Sequence, residues 1–209
     1  MSSSYHTLLK SGLAAIDLAL DEHTIEQLLA YHQLLIKWNK AYNLTAIRDP
    51  ELMIHRHLLD SLVIAPYLQG DCFIDVGTGA GLPGMVMAMV FPDREFHLLD
   101  SNGKKTRFLF QVKTALNLKN VTVVNERVEQ YALQHHFDGV LSRAFATLLD
   151  MVNGSQSLLK NTGRFYAMKG IYPTEELSEL EKTYKVDACH RLVVPGSDSE
   201  RHLVILSKC

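Results

Sequence analysis

The chain reads Phe73-Ile-Asp-Val-Gly-Thr-Gly-Ala-Gly-Leu-Pro-Gly84, an apolar run that ends in four glycines within eight residues. A strand that stops at Asp75 and Val76 and turns through Gly77, Gly79 and Gly81 brings bare backbone within contact of a ligand, where a Cβ would block the approach. The glycines alone leave the ligand open, because Gly79-Ala80-Gly81-Leu82-Pro83-Gly84 also fits the dinucleotide pattern G-x-G-x-x-G. The turn starts one step earlier, however, as Asp75-x-Gly77-x-Gly79-x-Gly81, the form of loops that hold S-adenosylmethionine. Such loops bind a zwitterionic amino acid and need no pyrophosphate cradle. Asp100, 23 residues beyond Gly77, ends the second strand, where a carboxylate accepts hydrogen bonds from both ribose hydroxyls of either cofactor. No Tyr-x-x-x-Lys of a short-chain dehydrogenase occurs, and Gly103-Lys104-Lys105-Thr106 lacks the upstream glycine of a phosphate loop. These features favour S-adenosylmethionine.

The acceptor is read from the residues after the fourth strand, at the mouth of such a site: Ser142-Arg143-Ala144-Phe145. An Asn/Asp-Pro-Pro-aromatic grip for an exocyclic amine is absent. Cytosine C5 methylation needs a cysteine nucleophile here, and Cys72, Cys189 and Cys209 lie elsewhere. What remains is an acceptor that is already nucleophilic, such as guanine N7, with lysine or arginine binding phosphate or the O6 edge. Two rivals stand beside it: a ribose 2′-O-methyltransferase using Lys169 as part of a base, and a cofactor-binding regulatory module without activity.

His55, His57 and Asp60 do not read as a metal site, because 55 and 57 point in different directions on a helix and no third ligand is indicated. His57 and Asp60, three apart, share a helix face and either pack the helices or cover the cofactor, packing being favoured. Lys37, Lys40, Arg48 and Arg56, and then Lys104, Lys105 and Arg107, form clusters that are solvated faces or, on an RNA enzyme, phosphate contacts. Trp38 and Tyr42 read as core.

The elements that position these residues fall into two stretches. Residues 1–70 read as a helical extension: Thr24 with Gln27 makes a capping box ahead of Ile25, Leu28, Leu29, Leu35 and Ile36, and Asp49-Pro50-Glu51 starts a second helix that Pro66 stops. Residues 71–209 alternate short apolar runs with helical stretches, as a parallel sheet with crossover helices does. Strands are expected at Cys72–Val76, Glu95–Leu99, Val121–Asn125, Gly139–Ser142 and Arg164–Met168. Helices are expected at Leu82–Val90, Lys104–Leu116, Val128–Leu133 and Leu148–Leu159, with another near Glu175–Lys182. Two last strands, His190–Val194 and His202–Ser207, joined by Pro195-Gly196-Ser197-Asp198, suit a hairpin. The fold class is α/β: a Rossmann-like class I methyltransferase with a mostly parallel seven-stranded sheet and a C-terminal antiparallel hairpin. The 209 residues, 47% hydrophobic, suffice for one such domain plus the extension. A formal charge of −2 excludes a generally basic nucleic-acid binder, so RNA contact would come from a local patch or a preassembled particle. Three scattered cysteines, no signal segment and no run of ~18 apolar residues point to a cytoplasmic protein without disulfide, zinc site or membrane span.

Taken together, Asn43-Leu44-Thr45, Arg56-His-Leu-Leu-Asp-Ser61, the glycine loop, Leu98-Leu-Asp-Ser101, Ser142-Arg-Ala-Phe145, Met168-Lys-Gly170 and Gly196…Glu200-Arg-His202 resemble the GidB (RsmG) family from about Leu28 to Lys208. That family is the bacterial small-subunit (16S) rRNA guanine-N7 methyltransferase. The resemblance implies that Gly77 and Leu82 contact S-adenosylmethionine, with Gly79 and Gly81 shaping the loop, and that Asp75 and Asp100 belong to the cofactor site. Val128 and Glu129 would flank the adenine. Arg143 would sit by the methionine end or the incoming base with Lys169 beside it, the two candidate catalytic residues. The partner implied is 16S rRNA, within a small-subunit particle, for an enzyme acting as a monomer without metal. Ala80 stands where relatives often have proline, which alters loop stiffness more than chemistry.

Overall fold

The computed structural model describes residues 2–131, 136–143, 145, 147–180 and 184–209, with the side chains of 2 and 3 left aside. Among these residues seven strands form one sheet: β1 (Cys72–Val76), β2 (Glu95–Leu99), β3 (Val121–Val124), β4 (Phe137–Ser142), β5 (Leu159–Lys169), β6 (Tyr184–Leu192) and β7 (Arg201–Lys208). Their order is β3-β2-β1-β4-β5-β7-β6, with the first five parallel and β7 antiparallel to both β5 and β6. The chain builds outward from β1 through β2 to β3, then returns to the other side of β1 as β4. The loops after β1 and β4 therefore part on either side of one crevice at the carboxyl edge, where open α/β sheets bind ligands. Gly77 and Arg143 are the first residues of those loops.

Both faces of the sheet are covered, which is why the strands read as short apolar runs rather than strict alternation. Phe73, Phe96, Leu98 and Tyr166 point to one face and Ile74, Leu99, Val140 and Phe165 to the other. On the first face lie α1 (Ser2–Ala15), α2 (Glu22–Tyr42), α3 (Pro50–Met53), α4 (Asp60–Leu62), α5 (Gly84–Val90) and α6 (Gly103–Ala115); α7 (Leu148–Ser155) and α8 (Thr174–Leu180) cover the second. Leu9, Leu28 and Leu59 of the extension share a core with Phe73 and Phe96, so residues 1–70 do not make a core of their own. Each such fully buried side chain contributes roughly 1.5–3 kcal/mol relative to exposure. The extension therefore packs on the same face of the sheet as α5 and α6.

Several boundaries differ from expectation for local reasons. Helix α2 starts at Glu22 because Asp21, not Thr24, caps it: the Asp21 carboxylate accepts the Thr24 N–H at 2.7 Å. The unforeseen α1 precedes it. Asp49 does cap α3, accepting from Glu51 and Leu52 N–H, with Pro50 in the first turn. The Leu148 helix stops at Ser155 and a 3-10 turn at Gln156–Leu158 feeds β5, which starts five residues before Arg164. Tyr184–Leu192 pairs with β7, whereas Val193 leaves the sheet and is 79% exposed. Val128–Gln130 is a single 3-10 turn. Residues 132 and 133 of that expected helix, and 181 and 182 of the one near Glu175–Lys182, lie outside the described residues. Trp38 packs on Phe108, but Tyr42, read as core, is exposed and stacks on Trp38 at 5.0 Å. Among the described residues no helix is long and apolar enough to cross a membrane.

Candidate active site

The glycine loop is anchored before it is open. Gly77 and Thr78 both donate to Leu99 O, at 2.9 and 3.1 Å, which continues the β1–β2 register into the loop. The buried hydroxyl of Tyr31 on α2 donates to Ala80 O at 2.8 Å. Gly77, Gly79 and Gly81 take φ of 69°, 63° and 97°, the left-handed region that L side chains rarely adopt. Their roles then divide. A Cβ on Gly81 would lie 2.7 Å from Met85 and 2.9 Å from Leu109, so Gly81 serves helix packing. Among the described residues a Cβ on Gly79 would meet only Gly77 O, at 4.0 Å, and Gly79 lines a crevice.

Asp75 lies beneath the loop, 1% exposed. Its Oδ2 accepts from Thr78 Oγ1 at 2.6 Å and Gly84 N at 2.8 Å, while Oδ1 has no hydrogen-bond partner among the described residues. Burial raises its pKa to about 6, against the lowering pull of those two donors. A buried carboxylate oxygen left without a donor costs free energy unless a ligand supplies one. The ammonium of a bound amino acid is such a donor. Asp100 accepts from Gly79 N–H at 2.9 Å, from Asn102 N–H at 2.8 Å and from Lys105 Nζ at 3.5 Å. Of the roughly four lone-pair sites of an ionised carboxylate, at least one remains for a ribose hydroxyl.

Two crevices meet at Gly77 and Lys105. The first, about 310 Å³, is lined by Asp100, Val128, Glu129 and Phe145 among others. The second, about 200 Å³, is lined by Thr45, His57, Thr78, Gly79, Leu82 and Arg143. The sequence-predicted residues thus divide: Asp100, Val128 and Glu129 face one side of Gly77; Gly79, Leu82 and Arg143 face the other. The buried Asp75 and Gly81 support the loop from below. Lys169 lines neither. Its ammonium pairs with Glu176 at 2.9 Å, and that carboxylate also accepts the Leu148 N–H at 2.6 Å. Lys169 shares with Arg143 a tight gap of about 10 Å³ between the ends of β4 and β5.

The second crevice depends, besides Arg143, on His57 and Asp60, for which the sequence favours packing. Between α3 and α4 the helix widens into a π turn, Ile54–Leu59, in which the Asp60 N–H reaches His55 O five residues back. Such turns are frequent at functional sites, because they re-aim side chains and backbone. The Arg56 carbonyl accepts from His57 Nδ1 at 2.9 Å and from Arg143 Nη1 at 3.4 Å. Since that carbonyl can only accept, we assign the His57 proton to Nδ1; Nε2 then accepts from the Thr45 hydroxyl at 2.9 Å. Burial, then the nearby Arg143 charge, lowers the His57 pKa to about 4, so the ring is neutral at pH 7. Asp60, 1% exposed, pairs with Arg143 at 3.0 Å through Oδ2 and with Arg201 Nε at 2.5 Å through Oδ1. One buried carboxylate thereby joins the helical extension, the β4 loop and the start of β7. The β6–β7 loop closes on the same turn, with His55 Nδ1 donating to Pro195 O at 2.7 Å and Gly196 leaving room for the ring. The signal for these residues lay in the motifs Arg56-His-Leu-Leu-Asp-Ser61 and Glu200-Arg-His202, whose convergence no spacing rule displays.

The strand order, the glycine loop at the switch point and the closing antiparallel pair define a class I methyltransferase fold. The glycopeptide N-methyltransferase MtfA, solved with S-adenosyl-L-methionine, superposes with a TM-score of 0.61 at 12% identity, over 73% of this chain and 87% of that one. The model of the GidB family, rRNA small subunit methyltransferase G, matches residues 24–204. The ribosomal RNA small subunit methyltransferase G of Marinomonas sp. (strain MWYL1) is 54% identical over 200 residues, 96% of each chain. Its namesake from Saccharophagus degradans is 57% identical, over 95% of this chain and 89% of its own. The chain belongs to the GidB family, rRNA small subunit methyltransferase G.

Proposed function

We propose that this methyltransferase moves the methyl group of S-adenosylmethionine to guanine N7 of 16S rRNA within a small-subunit particle, acting as a monomer in the cytoplasm. The observation that carries the reading is the pair of crevices meeting at Gly77. S-adenosylmethionine, when bound, supplies an electrophilic methyl group on a sulfonium. Asp100 would take the ribose, Val128 and Glu129 the adenine edge, and the loop from Gly77 to Leu82 with Asp75 the amino-acid end. Arg143, fixed by Asp60 and the Arg56 carbonyl, presents its guanidinium toward the second crevice, where it can donate to a guanine O6 or a phosphate. Guanine N7 carries a lone pair, so no protein group has to remove a proton, and positioning with desolvation suffices. The local titratable groups agree. His57 is neutral with both ring nitrogens engaged, and Lys169 is tied to Glu176, which disfavours a 2′-O mechanism based on that lysine. The exposed Lys37, Lys40, Arg48, Arg56, Lys104 and Arg107 would contact phosphates. Incubation with labelled cofactor and bacterial small subunits, followed by nucleoside mass spectrometry, should yield 7-methylguanosine at one mapped position. Label in a ribose, or none in rRNA, would refute the proposal.

A further inference from the structure

We propose a second ligand site at the opposite edge of the sheet: a site for a zinc ion held by Cys72, Glu95 and His97. Sequence spacing does not announce it, since the donors come from two adjacent parallel strands. Cys72 and Glu95 are register partners at the starts of β1 and β2. Glu95 and His97 are two apart on one strand and so project to the same face. A sulfur, a carboxylate oxygen and an imidazole nitrogen consequently lie within 4.8 Å of one another. The Cys72 thiol donates to Glu95 Oε2 at 3.8 Å. Tetrahedral coordination with Zn–S near 2.3 Å and Zn–O near 2.0 Å places such atoms roughly 3.5 Å apart, so the pair has to close by only a few tenths of an ångström.

The surroundings support the imidazole. Phe137 packs edge-on against the His97 ring at 4.9 Å, and the Tyr131 hydroxyl sits 3.0 Å from Nδ1, fixing the ring as outer hydrogen bonds do around metal-binding histidines. Glu95 is exposed and Cys72 half-buried, so an ion would enter from solvent and water would take the fourth position. Mixed sulfur, nitrogen and oxygen donors match zinc better than magnesium or calcium, which take oxygen alone. On binding, the thiol proton of Cys72 passes to solvent, a sulfur–metal bond forms, and no electron is transferred. Because β1 runs about 13 Å from Cys72 to Val76, the ion would staple two strands far from the methyl-transfer crevices.

Cobalt serves as the spectroscopic probe. Tag-free protein titrated with Co²⁺ should develop a thiolate charge-transfer band that Zn²⁺ abolishes, and Zn²⁺ should raise the melting temperature. Cys72→Ser should remove the band and weaken zinc binding by more than ~10-fold, with His97→Gln as a second variant should the first fold poorly. Cys189→Ser should keep the band, and Cys72→Ser should methylate RNA as the parent chain does. Absence of a band in the parent chain, its survival in Cys72→Ser, or its loss in Cys189→Ser would overturn the site.

Discussion

The glycine loop between the two crevices and the outer wall of the second crevice are built from different materials. The loop is mostly local backbone: a strand end, three left-handed glycines and the Asp100 carboxylate one strand away, held by main-chain hydrogen bonds. The acceptor wall is an assembly of side chains from four distant segments: His57 of the π turn, hydrogen-bonded to Thr45, and Asp60 of α4, whose buried carboxylate joins Arg143 to Arg201. A backbone site is broken by adding a single side chain. A side-chain site is broken by removing one.

The largest expected effect is on the first kind. Gly79→Val would put a branched side chain into the crevice at a left-handed φ, and cofactor affinity measured by calorimetry should fall by more than ~100-fold, about 2.7 kcal/mol, in a folded protein. Unaltered affinity would show that the crevice is not the cofactor site. Asp60→Ala should have the next largest effect and separate the two sides. Removing one partner of a buried pair costs roughly 3–5 kcal/mol, and because both arginines are about a quarter exposed we expect ~2 kcal/mol of lost stability. Methylation of subunits should drop by about two orders of magnitude while cofactor affinity changes little. An equal loss in both would show that Asp60 supports the whole edge rather than the acceptor side.

Asp75→Asn should uncouple stability from binding. The folded pKa near 6 lies above the unfolded value near 3.8, so the contribution of Asp75 to stability is full below about pH 3.8 and lost as pH rises through 6. The asparagine variant should therefore melt higher than the parent above pH 6 and alike near pH 3.8, yet bind the cofactor more weakly. Melting curves that keep one spacing at every pH would contradict a buried charge. The smallest effect is expected for Lys169→Ala: a loss of under ~10-fold in methyl transfer, since Glu176 already neutralises the lysine. Abolished chemistry with intact cofactor binding would revive the 2′-O mechanism.

The same contrast governs what could be read from the sequence. Strand β1, the glycine turn and Asp100 are contiguous or spaced by one βαβ unit, so periodicity and glycine chemistry sufficed, and the bounds of β1 and β2 coincide with expectation. Tyr31 was hidden because an aromatic on an apolar helix face looks like core, whereas its hydroxyl holds Ala80. On an ideal helix Asp60 and His57 would simply share a face, but the π turn changes where backbone and side chains point. Arg201 needed the pairing of β7 with β5 to bring it back, and Cys72 with His97 needed the β1–β2 register. Residues that act through register and through irregular turns carry no local mark.

The most direct test is a crystal structure with S-adenosylhomocysteine. The ribose should lie on Asp100, the adenine between Val128 and Glu129, and the amino-acid end against Gly77 and Gly79, with the sulfur facing the crevice of Arg143 and His57. A ligand seated elsewhere, or that crevice filled by the adenine, would contradict it.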